Sequence, residues 1–122
     1  MSKEPKINIA IADDHVVMRT GLAELIKMLG AYEVIIQARN GHDLLEQLHG
    51  ASVLPDICIL DINMPELNGY ETTERMKELY PEIKVMALSM FDNEFSIVRM
   101  LRSGAKGFLH KGANPGELSN AL

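Results

Sequence analysis

The chain of 122 residues contains one cysteine, Cys58, inside the apolar run ICIL. A lone thiol cannot close an internal disulfide. No base stands near it in the sequence to make it a nucleophile, so it is read as a small buried hydrophobe. No hydrophobic run is long enough to span a bilayer, and the first residues, MSKEPK, are polar where a secretory leader would be apolar. The expectation is a cytoplasmic protein with no membrane partner. Basic runs are also missing. Lysine and arginine are scattered and the formal net charge is -5, so this chain alone is a poor ligand for nucleic acid. There is no internal repeat, low-complexity tract or linker. With 47% hydrophobic residues, the length suits one globular domain with one core.

What is present is an alternation of two patterns. Short apolar runs rich in Ile and Val occupy 7–12 (INIAIA), 33–38 (EVIIQA), 56–60 (DICIL), 84–89 (KVMALS) and 107–111 (GFLHK). They are mostly continuous rather than alternating, as in strands buried on both faces of a parallel sheet. Helical patterns lie between them. In 15–29, Met18, Leu22, Leu25 and Leu29 share one helical face. Residues 42–49 form a second helix, 66–80 a third with Met76 and Leu79 facing inward, and 93–103 a fourth. A fifth opens at Asn114, with Pro115 at its first helical position and Glu117 completing a capping box. The order βαβαβαβαβα predicts an α/β fold, a parallel sheet with right-handed crossovers and helices on both faces. The pattern by itself leaves strand order open. The chain stops at Leu122 with neither a C-cap glycine nor a polar tail, so it is read as cut inside the fifth helix or just before a linker to a second domain.

In open α/β sheets, ligands bind outside the carboxyl ends of the strands. Asp13 and Asp14 follow the first strand and Asp61 the third. Ser89 ends the fourth and Lys111 the fifth. Three mutually repelling carboxylates converging on one edge make sense around a divalent cation. Oxygen donors suit Mg²⁺, and the lack of a Cys/His cluster argues against zinc. A carboxylate can attack a phosphoryl group. The transferred group then needs a metal, a positive charge and a hydrogen-bond donor around its oxygens, which Mg²⁺, Lys111 and Ser89 would supply. Asp61 stands alone opposite the acid pair and is the best nucleophile candidate. Taken singly these signals are weak, since Asp14 could be a helix cap, Ser89 a turn residue and Lys111 a solvated surface lysine.

At these residues the sequence resembles a bacterial response-regulator receiver domain over essentially its whole length. The stretches DDHVVMRTGL and SGAKGFLHKGANPGEL look like the subgroup joined to a LuxR-type helix-turn-helix. The resemblance implies a flavodoxin-like (βα)5 fold with strand order 2-1-3-4-5. It implies two-component signalling, with Asp61 as acceptor of phosphate from a sensor histidine kinase. Mg²⁺ would be held by Asp13, Asp14, Asp61 and the backbone carbonyl of Asn63. Ser89 and Lys111 would contact the phosphoryl group, with Phe108 as the switch aromatic. The domain would then be a phosphoacceptor rather than an enzyme acting on other substrates, and DNA would be reached only through an effector domain beyond residues 1–122. Gly112 stands where much of the wider family has proline after the lysine, which puts the loop before the fifth helix in doubt.

Other residues are weighed in the same way. His15 adjoins the acid pair and is read first as a surface residue at a helix start, with a tuning role second. His42, His49 and His110 are read as solvated. The fourth helix carries Phe95, Ile97, Val98, Met100 and Leu101, a spread wider than one buried stripe needs. The region 91–110, or the fifth helix, is therefore the expected output or homodimer surface. Three rivals share parts of the pattern. An FMN carrier would want a phosphate-binding loop where Asp13 and Asp14 stand. A dehalogenase-type phosphatase would want Asp-x-Asp and a longer chain. A receiver-like module that signals by binding alone keeps the architecture without the chemistry.

Overall fold

The computed structural model describes residues 6–64, 67–89, 94–110 and Leu122. Five strands, β1 (Ile7–Ala12), β2 (Tyr32–Ala38), β3 (Ile57–Asp61), β4 (Lys84–Ser89) and β5 (Gly107–His110), alternate with α1 (Val16–Met28), α2 (Gly41–His49), α3 (Gly69–Leu79) and α4 (Glu94–Ser103). The strands form one sheet in the order β2-β1-β3-β4-β5, and every pairing is parallel. This is the flavodoxin-like order that the resemblance implies. The proposed fifth helix lies outside the described residues.

The two-residue period of a strand splits the core into two layers. Ala10, Ala12, Cys58 and Leu60 face one side with Leu44 and Leu48 of α2, Met76 of α3 and Met100 of α4. Ile9, Ile11, Ile57 and Ile59 face the other with Ala23 and Ile26 of α1. Strands β1 and β3 are thus covered on both sides, which is why their sequences read as continuous apolar runs. Each fully buried aliphatic side chain contributes roughly 1.5–3 kcal/mol. Cys58 is buried among them, and burial pushes its thiol well above the ordinary value, so it stays neutral and unreactive.

Two sequence expectations need correcting and one is borne out. On α1, Leu22, Leu25 and Leu29 pack against the inner layer around buried Ala23 and Ile26, with Met18 half-buried, as the helical spacing predicts. The small Ala23 side chain lets the helix approach the sheet there. Leu79 points outward, 62% exposed. It is the last residue of α3, and the following Tyr80 packs against the core in its place. Asp14 does not cap α1, because His15 occupies the N-cap position and makes no side-chain cap bond.

The other helix starts follow local chemistry. The side chain of Asn40 accepts from the Asp43 amide at 2.8 Å while the Asp43 carboxylate accepts from the Arg39 amide at 3.1 Å. Asn68 accepts from the Glu71 amide at 3.0 Å, which sets the start of α3 at Gly69 rather than residue 66.

Gly21 lies inside α1 with nothing within 4 Å of where a Cβ would stand. Gly21→Ala is expected to stabilise the domain by about 0.5–1 kcal/mol, because alanine gives up less backbone freedom in a helix. Urea denaturation reads this directly, and an unchanged or lower midpoint would contradict it.

Candidate functional site

Strand β1 ends at Ala12, which pairs with Leu60 on β3. The chain continues in the same direction for one residue, and the Asp13 amide donates to the Ala38 carbonyl at 3.0 Å. Asp13 therefore emerges beside Asp61, the last residue of β3. Both are buried, at 0% and 2% exposure, and Asp14 lies at the rim. Carboxylate oxygens of Asp13, Asp14 and Asp61, together with Nδ1 of His15, all lie within 4.8 Å of one another.

The loop after β3 is held from two directions. Asp61 Oδ1 accepts from the Asn63 amide at 3.2 Å, and the Ile62 amide donates to the Leu88 carbonyl at 3.2 Å. Gly69, opening α3, donates its amide to the Ile62 carbonyl at 3.1 Å. Its backbone passes so close that a Cβ there would stand 2.6 Å from the Asp61 carbonyl oxygen and 2.8 Å from Ile62 Cα.

Two partners of the acids stand out. His15 donates its backbone amide to Asp13 Oδ1 at 2.9 Å, and its ring Nδ1 stands 3.1 Å from the same oxygen. Arg19, one turn into α1, donates Nη1 to the Asp13 carbonyl at 2.7 Å. The guanidinium thus anchors the backbone of the acid loop and adds positive charge behind it. Sequence reasoning passed over Arg19. The signal was its helical spacing, four residues after His15, which puts it on the turn facing the acids. His15 is half-exposed at a helix start, as first read, but its ring joins the acid cluster.

Buried carboxylates this close repel one another, and a cation among them would offset that repulsion. Two buried hard-oxygen donors and a third at an accessible rim fit a divalent ion such as Mg²⁺, which binds through few carboxylates and keeps waters. Among the described residues no cluster of Cys and His competes for it.

The structure thus brings Asp13, Asp14 and Asp61 together, with Asn63 exposed beside them. Ser89 ends β4, in register with His110. Phe108 pairs with Ala87 and is 44% exposed, on the outside of β5. Lys111, Pro65 and the capping box at Asn114 lie outside the described residues, as does the side chain of Ser89. His42 and His49 are exposed, as expected of solvated residues.

Residues 9–122 match the family of the response regulator receiver domain. The chain is 35% identical over 119 residues to the transcriptional regulatory protein DegU of Brevibacillus brevis, covering 98% of this chain and 50% of that protein. It is 35% identical over 122 residues to the nitrate/nitrite response regulator protein NarL of Escherichia coli, covering 100% of this chain and 56% of the relative. The chain therefore spans about half the length of the curated relatives it matches. Among solved structures, the signal receiver domain of the response regulator NarL from Mycobacterium tuberculosis superposes with a TM-score of 0.88 at 27% identity, covering 97% of this chain and 94% of that one.

Proposed function

The chain belongs to the response regulator receiver family, and from that premise we propose that it is a Mg²⁺-dependent phosphorylation switch with Asp61 as the phosphoacceptor. The carrying observation is the burial of Asp61 at the end of a central strand, directly beside Asp13. A carboxylate oxygen of Asp61 forms the new O–P bond as the P–N bond of a kinase phosphohistidine breaks, and the electron pair leaves with the imidazole. Asp13, Asp14, Asp61 and the Asn63 carbonyl would hold the Mg²⁺, which when bound would neutralise charge on the phosphoryl oxygens. Ser89 and Lys111 are assigned to those same oxygens. The domain acts as a cytoplasmic phosphoacceptor that promotes its own phosphorylation and dephosphorylation, and is not an enzyme for other substrates.

The response is a population shift. Phosphorylation adds about two negative charges and three acceptor oxygens, and favours the arrangement in which Ser89 and Lys111 bond them. Helix α4 is a suitable moving part. Its attachment runs through buried Met100, 3.8 Å from Thr73 Oγ1, and through Arg99 stacked 4.0 Å over the Tyr70 ring. Phe95, Val98 and Leu101 stay exposed on its outer side, with Phe108 exposed on β5. This face is proposed as the output or homodimer surface, with Phe108 as the switch aromatic. The relatives include a transcriptional regulatory protein, so the output proposed for the whole protein is control of DNA binding by an effector beyond this domain.

The test is intact mass after incubation with acetyl phosphate, with and without Mg²⁺. A single adduct that needs Mg²⁺ is expected. No adduct in folded protein that binds Mg²⁺ would leave a receiver-like module that signals by binding alone.

A further inference from the structure

The acid cluster contains one donor that is not oxygen. His15 occupies the N-cap position of α1, where a side chain normally turns toward the first free amides of the helix. It makes no such bond. With backbone angles of φ -85° and ψ 103°, its ring turns back over the acids instead. Nδ1 stands 3.1 Å from Asp13 Oδ1, 3.4 Å from Asp14 Oδ1 and 4.0 Å from Asp61 Oδ2.

These spacings have a coordination geometry. With metal–donor bonds of about 2.1 Å, an octahedral ion sets adjacent donors about 3.0 Å apart and opposite donors about 4.2 Å apart. All three distances fall within the span of one such coordination shell, so Nδ1 stands where it could join the acids and the Asn63 carbonyl as a further protein ligand.

We propose that His15 contributes its ring nitrogen to the cation site and makes it a mixed nitrogen–oxygen site favouring a borderline first-row ion such as Co²⁺ or Ni²⁺ over Mg²⁺. The inference rests on the acid cluster being a metal site. Carboxylates, carbonyls and water suit Mg²⁺, whereas imidazole suits the later divalent ions, whose affinity for such sites rises along the first row. The site thus still takes Mg²⁺ through its oxygens, and His15 adds selectivity. The ring is half-exposed, so removing it leaves the core untouched.

The experiment compares untagged wild-type protein with His15→Ala. Calorimetric titration with Mg²⁺ and with Co²⁺ gives the affinity ratio, and pulsed electron paramagnetic resonance of bound Mn²⁺ detects a coordinated nitrogen. Expected is a Co²⁺ preference that drops about tenfold or more in His15→Ala while Mg²⁺ affinity changes far less, together with a ¹⁴N coupling present in wild type and absent in the variant. Mn²⁺ bound without ¹⁴N coupling, or a Co²⁺/Mg²⁺ ratio unchanged in His15→Ala, would overturn the role of His15 and leave the metal site standing. If wild type binds none of these ions, the metal-site reading falls and the inference with it.

Discussion

Asp61→Asn is expected to abolish the phosphoryl adduct while leaving a folded and more stable protein. The amide is nearly isosteric, and its oxygen can still accept from the Asn63 amide, now 3.2 Å from Asp61 Oδ1, so the loop after β3 keeps its anchor. What is lost is the proposed nucleophile, because a neutral amide oxygen does not form a stable acyl phosphate. Stability moves the other way. Asp61 is 2% exposed and sits with Asp13 and Asp14 in a cluster of like charges. Neutralising one of them removes repulsion that, without a cation, opposes folding. A gain on the order of 1 kcal/mol in metal-free buffer is expected. The rise in melting temperature on adding Mg²⁺ should shrink in the same variant, since one ligand has been lost. Intact mass with acetyl phosphate and thermal denaturation with and without Mg²⁺ check both parts. A Mg²⁺-dependent adduct surviving in Asp61→Asn would move the phosphoacceptor to another residue.

Gly69→Ala is expected to lower stability by roughly 1–3 kcal/mol and to slow phosphoryl uptake together. The added methyl would meet the Asp61 carbonyl oxygen at 2.6 Å and Ile62 Cα at 2.8 Å. Both are backbone atoms and cannot rotate away as a side-chain end can. Relief comes only by pushing α3 from β3 or by shifting the Asp61 backbone, and the second displaces the proposed phosphoacceptor. Gly21→Ala is the internal comparison, adding the same methyl in open space. Opposite shifts in the urea midpoints are the expected result, with the uptake rate changed only in Gly69→Ala. Equal midpoints for the two variants would show that the close approach is not a constraint.

Much of this architecture was legible in the sequence, for physical reasons. Strands β1, β3 and β4 are rich in branched apolar residues because they are covered on both faces, and the same burial left no polar alternation to confuse them with surface elements. Strand order was not legible from the pattern, since any arrangement of parallel strands buries the same runs, and only the resemblance supplied it. The three acids were found by the rule that ligands gather at strand ends. His15 was undervalued because a lone histidine beside acids reads as surface, and its approach depends on a backbone bend that no spacing reveals. The constraint at Gly69 was not legible from spacing, since it comes from α3 crossing the end of β3. Leu79 fitted the helical period but falls at the end of α3, where Tyr80 takes the core contact.

The parallel pairing of β1 with β3 has a consequence for folding order. No hairpin can bring these strands together, since α1, β2 and α2 lie between them in the chain and must be looped out or folded first. Asp13 and Asp61 therefore become neighbours only when one of the most non-local contacts of the domain has formed. A nascent or partly unfolded chain carries every residue of the acid cluster but not the cluster itself. The acid cluster is therefore a product of tertiary pairing and is assembled no earlier than the centre of the sheet.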